Sequence, residues 1–433
     1  MAVGSSNDFD LVVLGAGTGG YAAAFRAAQL GLKVALVDED KIGGTCLHRG
    51  CIPTKALLES AAFTEKVRHA KDMGLKLPGD PEIDYAQMAA RRDQVVKRMW
   101  TGLKTLVDKN KVAWIQGRGR LEGPNKVRVA QAGEDGTPGK GGDRVLQATD
   151  VIIATGSRVK SLPGLTIDGE HIVTSDEVLK ADRLPKDVIV VGAGAVGVEF
   201  ASMYHDLGVK VTLLEYLPAI VPLEDREVSQ ALERSFSRRG ITVMTKARFD
   251  TAAVTADKNG VCLMVGPEGK EPQEVRAEMM LVAAGRAPNV EEIGLETTKV
   301  EIDKNFIKVD GRMRTKEPHV YAIGDAVGGL MLAHTAAHEG MVAAHVIAGD
   351  KDVHPIDYVR QPRATYCRPE IASIGLTQQQ CEEQGLPIKV GKVPFQAIAK
   401  AIIGGEYEGF AKVIGHKESD ETLGIHLIGQ RRT

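Results

Sequence analysis

The sequence has few aromatic residues, few cysteines and no long apolar run. Aromatic side chains make up 4% of the 433 residues, and five cysteines are too sparse for the disulfide framework of a small secreted protein. The 55 Lys plus Arg nearly balance the 57 Asp plus Glu, so charge gives no indication of a nucleic-acid or membrane partner. The most apolar stretch, 188–198, is too short to span a bilayer, and residues 1–8 lack a signal-peptide core. We expect a soluble, cytoplasmic protein.

Glycine, by contrast, is abundant, with 48 residues. Such a content is typical of an α/β protein with many tight turns between strands and helices. The length exceeds what one hydrophobic core usually serves and predicts two to four domains.

Two of the cysteines, Cys46 and Cys51, lie five positions apart in a glycine-flanked segment. A helix is predicted to begin near Pro53, since proline is tolerated in a first helical turn and good helix formers follow it. A cysteine at a helix N-terminus is held as a reactive thiolate, which favours a redox pair. Burial as apolar fillers and half of a zinc site stay open on spacing alone. For the three scattered cysteines, at positions 262, 367 and 381, we expect packing roles.

Residues 10–38 read as a complete β-α-β unit that binds a dinucleotide. An apolar strand runs into Gly15-Ala16-Gly17-Thr18-Gly19-Gly20, a helix follows, and a second strand ends at Asp38. Gly15 permits the tight turn, Gly17 lets a pyrophosphate approach the backbone, and Gly20 lets the helix pack on the strand. The acid is predicted to bind a ribose hydroxyl.

The same unit occurs again from residue 187, with glycines at 192, 194 and 197 and an acid at Glu215. The separation from first glycine to acid is identical, because 38 − 15 = 23 and 215 − 192 = 23. Two such units imply either two dinucleotides or a duplication in which one copy has lost its ligand. Both copies keep their glycines and acid, which favours two ligands. The acid repels a 2′-phosphate and no arginine closely follows Glu215, so NAD is favoured over NADP.

Further elements are predicted around these units. They are a helix at 85–109, a surface loop at 134–143, strand ends at Ala154-Thr155-Gly156 and Gly285, a strand at 320–323 before Gly324-Asp325, and an alanine-rich helix from Met331-Leu332-Ala333-His334 to about 348. Asp325 could hold a polyol hydroxyl or cap the following turn. From 356 onward, strands at 371–374, 389–393, 411–414 and 423–428 with a helix at 377–384 predict an antiparallel α+β domain.

We therefore predict an α/β fold with two Rossmann-like dinucleotide-binding domains and an incomplete C-terminal α+β dimerisation domain. The predicted boundaries are 1–155 and 285–354 for the two parts of the FAD-binding domain, 156–284 for the NAD-binding domain and 355–433 for the dimerisation domain.

These residues together resemble the flavoprotein disulfide reductases, and most closely the members that act on lipoamide. The motif Gly-Gly-Thr-Cys-Leu-His-Arg-Gly-Cys-Ile-Pro-Thr-Lys at 43–55 is highly specific to that family. The paired dinucleotide folds and the segments at 154–156, 285–289, 324–325, 331–334 and 366–370 occur in the family's order. The resemblance extends from Phe9 to about Gly429.

The resemblance implies FAD, tightly bound on the first unit, and NAD+/NADH on the second. Implied FAD-binding residues are Gly15, Gly17, Gly20, Asp38, Gly44, Thr45, Lys55, Gly119, Ala154, Thr155, Gly156, Asp325, Met331, Leu332, Ala333 and His334. Implied NAD-binding residues are Gly192, Gly194, Gly197, Glu199, Glu215, Ala247 and Gly285. No metal is implied.

The same resemblance implies a redox disulfide between Cys46 and Cys51. Cys46 would be the interchange thiol that exchanges with lipoamide, Cys51 the thiol that faces the flavin, and Lys55 would pair with Glu199 near the flavin. From the residues alone, Lys55 and Glu199 could equally be ordinary solvated helix residues. The implied reaction oxidises protein-bound dihydrolipoamide with NAD+, and the implied partners are the lipoyl domains of 2-oxoacid dehydrogenase complexes, or the glycine-cleavage carrier, and a second copy of the chain.

One departure from the family concerns the C-terminal His-Pro segment that supplies a catalytic base from the other subunit. His354-Pro355 stands elsewhere and does not match it. We expect a C-terminally truncated chain with impaired turnover and weakened dimerisation. The alternatives are another NADH-dependent reductase of glutathione or mercuric type, or a flavin-binding complex subunit without turnover.

Overall fold

The computed structural model describes residues 8–131, 141–267, 269 and 271–430. The chain forms two compact units, the first from the described residues of segments 1–53, 94–158 and 286–358, the second from those of 54–93, 159–285 and 359–433. Most of the loop predicted at 134–143 lies outside the described residues. The four predicted domain boundaries stay a prediction.

The helices predicted at 85–109, from 331 to about 348 and at 377–384 begin and end within two residues of the predicted positions. Ten α-helices lie in the described part of the chain. They are α1 Thr18–Gln29, α2 Gly44–Arg49, α3 Cys51–Arg68, α4 Tyr85–Lys109, α5 Ser175–Val178, α6 Ala195–Asp206, α7 Arg226–Arg239, α8 Ala333–Ile347, α9 Gln378–Glu383 and α10 Ala399–Ile403. Single 3-10 turns lie at Ala70–Met73, Thr251–Ala253, Leu295–Thr297, Gly324–Val327 and Phe395–Ala397. The helix predicted to begin near Pro53 begins two residues earlier, at Cys51, and the short α10 was not predicted.

The strands are mostly short. They are β1 Asp8–Leu14, β2 Val34–Asp38, β3 Ala113–Leu121, β4 Lys126–Gln131, β5 Asp143–Ile153, β6 Ser157–Val159, β7 Ile172–Val173, β8 Asp187–Val191, β9 Lys210–Leu214, β10 Thr242–Met244, β11 Ala247–Arg248, β12 Thr255–Asp257, β13 Gly260–Pro267, β14 Gln273–Ala277, β15 Met279–Val282, β16 Arg286–Pro288, β17 Ile302–Asp303, β18 Phe306–Ile307, β19 Val320–Ala322, β20 Arg363–Thr365, β21 Glu370–Gly375, β22 Ile388–Pro394, β23 Gly409–His416 and β24 Thr422–Gly429.

The first unit is organised around a parallel sheet in the order β3-β2-β1-β5-β19. Strand β4 pairs antiparallel with the extensions of β3 and β5. Side chains of β1 alternate between two apolar cores, with Leu11 and Val13 in one and Val12 and Leu14 in the other. Burial on both faces explains why this strand is a continuous apolar run. Strands β1 and β2 belong to the β-α-β unit predicted at 10–38, and β19 lies within the strand predicted at 320–323.

The second unit contains a parallel sheet in the order β10-β9-β8-β15-β7, which is the second dinucleotide fold. Strands β11 to β14 form a small antiparallel sheet. The last five strands form an antiparallel sheet in the order β20-β21-β24-β23-β22. The predicted antiparallel α+β region is therefore confirmed, with β20 as an additional strand at its edge.

Candidate active site

Two half-buried cysteines are joined by a disulfide at the junction of α2 and α3. Cys46 lies in α2, Cys51 is the first residue of α3, and their Cα atoms are 4.6 Å apart. That separation is within the range that disulfides require. A Cβ atom on Gly50 would come within 2.9 Å of the Thr45 carbonyl oxygen, so glycine permits the close approach of the two short helices. On reduction, the N-terminus of α3 stabilises a thiolate at Cys51.

The disulfide segment packs directly against the first glycine-rich loop. The amide of Gly43 donates to the carbonyl oxygen of Ala16 at 2.8 Å. Gly44 has a φ of +59°, and a Cβ atom there would lie 2.5 Å from the Cα of Gly17. Only glycine at position 44 meets both requirements. The structure thus brings the redox pair and the predicted pyrophosphate loop together within the first unit.

The first glycine-rich loop has the close contacts that its three glycines predict. Gly15 has a φ of +103°, and a Cβ atom on Gly20 would lie 1.8 Å from the carbonyl oxygen of Gly15. Asp38, at the end of β2, accepts hydrogen bonds from the amides of Ala16 at 2.6 Å and Asp40 at 2.9 Å. Burial raises the pKa of Asp38, and these two amides oppose that shift. The acid therefore supports its own loop, a role that the sequence did not indicate.

The other predicted FAD-binding residues lie in the first unit, apart from Lys55. Thr155 donates its hydroxyl proton to the carbonyl oxygen of Asn289 at 2.6 Å, which fixes the turn after β5. Gly119 lies in β3, where a Cβ atom would come within 2.6 Å of the Leu14 side chain. Residues 331–334 lead into α8, and the close contact of Gly340 with Gly19 packs α8 against α1.

Asp325 is held by a short chain of polar groups. Arg286 Nε donates to Ser157 Oγ at 2.6 Å, and Ser157 donates in turn to the Asp325 carboxylate. Arg286 also lies 3.7 Å from that carboxylate. Asp325 is therefore an oriented carboxylate and not the simple turn cap that the sequence left open.

A second buried carboxylate, Glu339 on α8, lies beside this group. It accepts from the amide of Gly324 at 2.5 Å and from the Tyr358 hydroxyl at 2.9 Å. Burial raises the pKa of Glu339 to about 7. Glu339 fixes the turn that carries Asp325. The sequence gave no indication of Glu339, because an acid within an alanine-rich helix has no distinguishing pattern.

The second glycine-rich loop repeats the geometry of the first. Gly192 has a φ of +99°, and a Cβ atom on Gly197 would lie 1.8 Å from the Gly192 carbonyl oxygen. Glu215 is buried, and its two oxygens accept from the amides of Ala193 at 2.6 Å and Leu217 at 2.8 Å. The backbone of Ala247 donates to the carbonyl oxygen of Glu215 at 2.8 Å.

Two further predicted NAD-binding residues, Gly194 and Gly285, lie in loops that follow strands β8 and β15 of the same unit. Gly194 is the residue before α6, and Gly285 follows β15 with a φ of +105°. The carbonyl oxygen of Gly285 accepts from the amide of Lys160 at 3.0 Å. The second unit thus assembles the predicted residues around one edge of its parallel sheet.

Lys55 and Glu199 form an ion pair in the second unit. Lys55 Nζ lies 2.7 Å from Oε2 and 2.9 Å from Oε1 of Glu199, which is 3% exposed. The amide of Tyr366 donates to the same carboxylate at 2.9 Å, and Lys55 Nζ lies 5.0 Å from the centre of the Tyr366 ring. The resemblance implied this pairing, whereas the ring contact was not foreseen. An ion pair held by a backbone amide and a ring has one preferred geometry.

The helix N-termini at the two glycine-rich loops are suited to a bound anion. Among the described residues, no side chain caps α1 or α6 and neither first turn contains an acid, whereas Thr174, Asp225 and Thr377 cap α5, α7 and α9. Uncapped amides at a helix start favour phosphate. In the described part of the chain, the buried Thr335 hydroxyl at the start of α8 also has no hydrogen-bond partner. These groups fit the binding of two dinucleotides.

Residues 8–131, 141–267, 269 and 271–430 contain neither a membrane-spanning helix nor a metal-binding cluster. Within those ranges no helix is long and apolar enough to cross a membrane. Nor do the described histidines, cysteines and acids form a group of three or more that could hold a metal ion.

Comparison with known proteins agrees with the site. Residues 9–340 match the model of the pyridine nucleotide-disulphide oxidoreductase family, and residues 361–433 match the dimerisation domain of that family. The chain is 42% identical to a dihydrolipoyl dehydrogenase of Bacillus subtilis and 43% identical to one of Zymomonas mobilis. Each match covers 99% of this chain and 90% of the relative.

Among solved structures, LpdA from Mycobacterium tuberculosis superposes with a TM-score of 0.88 at 29% identity, over 97% of this chain and 89% of that one. The family model matches well over half of the chain, and the two bacterial relatives match 99% of it. The chain therefore belongs to the pyridine nucleotide-disulphide oxidoreductase family.

Proposed function

We propose that the protein is an FAD-dependent disulfide oxidoreductase that oxidises protein-bound dihydrolipoamide to lipoamide with NAD+ as the electron acceptor. The observation that carries the proposal is the Cys46–Cys51 disulfide at the start of α3, packed against a dinucleotide loop. The reaction type is that of the family, and the bacterial relatives named dihydrolipoyl dehydrogenase support lipoamide as the substrate.

FAD is assigned to the first unit. Its pyrophosphate would bind the uncapped N-terminus of α1, with Asp38 on the adenosine side and Asp325 on the polyol chain. The orphan hydroxyl of Thr335 and the start of α8 would lie near the ring. When bound, FAD carries electrons between the dithiol and the nicotinamide. NAD(H) is assigned to the second unit, at the α6 N-terminus and Glu215.

The cysteines would exchange disulfides with the substrate. One sulfur of dihydrolipoamide attacks Cys46, the Cys46–Cys51 bond breaks, and Cys51 leaves as a thiolate that the N-terminus of α3 stabilises. The second substrate sulfur then attacks the mixed disulfide, which releases lipoamide and leaves Cys46 as a thiol. Two electrons and two protons have left the substrate: the electron pair has reduced the Cys46–Cys51 disulfide, one proton is on Cys46 and the other has passed to solvent. Lys55, which is oriented by Glu199, would supply a fixed positive charge near the flavin.

The partners follow from this chemistry. We propose that lipoyl domains of 2-oxoacid dehydrogenase complexes deliver the substrate in the cytoplasm. The match of residues 361–433 to a dimerisation domain supports a homodimer.

The test is lipoamide-dependent oxidation of NADH by the flavin-loaded protein and its cysteine variants. Cys46→Ser and Cys51→Ser should each lower the rate at least about a thousandfold, because each removes one sulfur of the exchanging pair. Cys262→Ser is the matched control, since Cys262 lies in β13 and forms no disulfide with the described cysteines. Retained flavin absorbance shows that the variants fold. Lipoamide turnover by Cys46→Ser would refute the assignment, and a wild-type protein that oxidises NADH only with an artificial acceptor would indicate a complex subunit without turnover.

A further inference from the structure

A guanidinium group lies next to the acid of the second dinucleotide fold. The Arg248 guanidinium carbon lies 3.6 Å from the centre of the Tyr216 ring, and Arg248 Nη1 donates to the Tyr216 carbonyl oxygen at 2.7 Å. Tyr216 directly follows Glu215 and is 66% exposed. The sequence alone did not show this arginine, because 32 residues separate it from Tyr216.

Backbone hydrogen bonds fix Arg248 at this place. The amide of Ala247 donates to the Glu215 carbonyl oxygen at 2.8 Å, and the amide of Lys246 donates to that of Leu217 at 3.0 Å. The segment before Arg248 therefore lies alongside the segment that contains the acid. A stacked and backbone-bonded guanidinium has lost most of its freedom before any ligand binds.

In dinucleotide folds of this kind, the acid at the end of the second strand binds the ribose 2′-hydroxyl of NAD, whereas an arginine nearby accommodates the 2′-phosphate of NADP. This chain has both groups. The Glu215 carboxylate is buried and oriented by the amides of Ala193 and Leu217, and its negative charge would repel a 2′-phosphate that the guanidinium attracts.

We propose that Arg248 is a specificity-determining residue at the adenosine end of the NAD site, where it forms a ready 2′-phosphate partner whose attraction for that phosphate is opposed, but not abolished, by the charge of Glu215. The inference rests on the proposed NAD site in the second unit. It follows that loss of one charge at position 215 is enough to open the site to NADP(H). The planar Arg248–Tyr216 stack would flank the adenosine in both cases.

The experiment measures binding of ADP and 2′,5′-ADP, the adenosine halves of NAD and NADP, to the flavin-loaded protein by calorimetry. The variants are Glu215→Gln, Arg248→Ala and the double variant, with Arg276→Ala as the control because Arg276 pairs with Glu274 on β14. Glutamine is chosen because its amide oxygen can still accept from Ala193. The measured quantity is the preference for 2′,5′-ADP over ADP, which a purely structural role of Arg248 would leave unchanged.

Glu215→Gln should raise that preference at least about tenfold, and adding Arg248→Ala should remove the gain, because a charge-assisted pair with phosphate is lost. In the wild-type background, Arg248→Ala should weaken 2′,5′-ADP binding more than ADP binding, and Arg276→Ala should change neither.

A gain that survives in the double variant would assign the phosphate contact to another cation, such as Lys246, and overturn the proposal. The proposal would also be overturned if the Glu215→Gln protein binds ADP but shows no increased preference for 2′,5′-ADP. If Glu215→Gln loses ADP binding altogether, the comparison of wild type with Arg248→Ala is decisive. Equal effects of Arg248→Ala on the binding of both ligands would then refute the proposed role. A wild-type protein that binds neither ligand contradicts the proposed NAD site itself.

Discussion

Glu339 is the residue whose protonation should be visible in the stability of the whole protein. Burial raises its pKa from 4.5 to about 7, with the nearby Asp325 charge adding to the shift. Between about pH 4.5 and pH 7 the folded protein keeps a proton that the unfolded chain has lost. Folding stability therefore falls as the pH rises through this window, by on the order of 3 kcal/mol from this group.

We expect Glu339→Gln to remove this contribution. The midpoint of thermal unfolding of the variant, relative to wild type, should rise between pH 5 and pH 8, since glutamine has no proton to lose. Glu418→Gln, an exposed change of the same type, serves as the control. A difference between variant and wild type that is independent of pH would show that Glu339 does not titrate in this range.

The sequence predicted some of the site residues and missed others. The glycines of both loops, the cysteine pair and both acids were predicted, because each belongs to a local pattern with a fixed spacing. Glu339 with Tyr358 and Arg248 with Tyr216 were not, because these contacts join side chains from separate elements. Both carboxylate oxygens of Asp38 and of Glu215 accept hydrogen bonds from backbone amides. The spacing of residues in the sequence could not predict these hydrogen bonds either.

At the scale of elements, one buried carboxylate joins a strand to two helix N-termini. Asp225 caps α7 by accepting from the amide of Glu227 and also accepts from the amide of Gln378 in α9. Lys412 on β23 lies 2.9 Å and 3.0 Å from its two oxygens. Both side chains are fully buried or nearly so, at 0% and 1% exposed. Removal of the cation would leave an uncompensated charge in the interior.

Lys412→Met should therefore destabilise the protein by about 3–5 kcal/mol, seen as a large drop in the thermal midpoint. Lys392 is the matched control, because it is the cross-strand neighbour of Lys412 and pairs with Glu227 at the surface. Lys392→Met should cost less than about 1 kcal/mol. Adding Asp225→Asn to Lys412→Met should recover part of the loss. Equal costs for the two lysines would contradict the assigned role of burial.

Elements with strong periodicity were predicted well and short ones poorly. The helix predicted at 85–109 is observed as Tyr85–Lys109, and the four predicted strands of the C-terminal sheet each lie within two residues of the observed ends. Strand β20 and helix α10 were not predicted, since three to five residues carry too little pattern. Their formation depends on pairing with β21 and on packing, which are tertiary effects.

At the scale of the whole molecule, the C-terminal region of the isolated chain has apolar side chains that are exposed to solvent. Ile402 and Ile403 of α10 and Tyr407 after it are exposed, Ile403 by 70%. These residues lie within the segment that matches a dimerisation domain. Large apolar side chains exposed together indicate an interaction surface.

Sedimentation equilibrium should therefore give a particle of twice 46.4 kDa. Ile403→Asp should weaken the dimer at least about tenfold, because burial of the charged side chain is unfavourable. Met264→Asp changes another exposed apolar residue, 51% exposed, in β13 outside the dimerisation segment, and should leave the mass unchanged. A monomer at all concentrations of the unmodified chain would refute the homodimer.

The paired support of the glycine-rich loops by Asp38 and Glu215 bears on how a duplicated fold changes over time. Each acid holds the amide two positions before the start of its helix, at 2.6 Å in both copies. A substitution that removes the acceptor oxygens would therefore damage the loop at the same time as it alters the choice of ligand. A change of nucleotide preference that leaves the loop intact therefore requires a replacement that removes the charge and keeps an acceptor for this amide, as glutamine does.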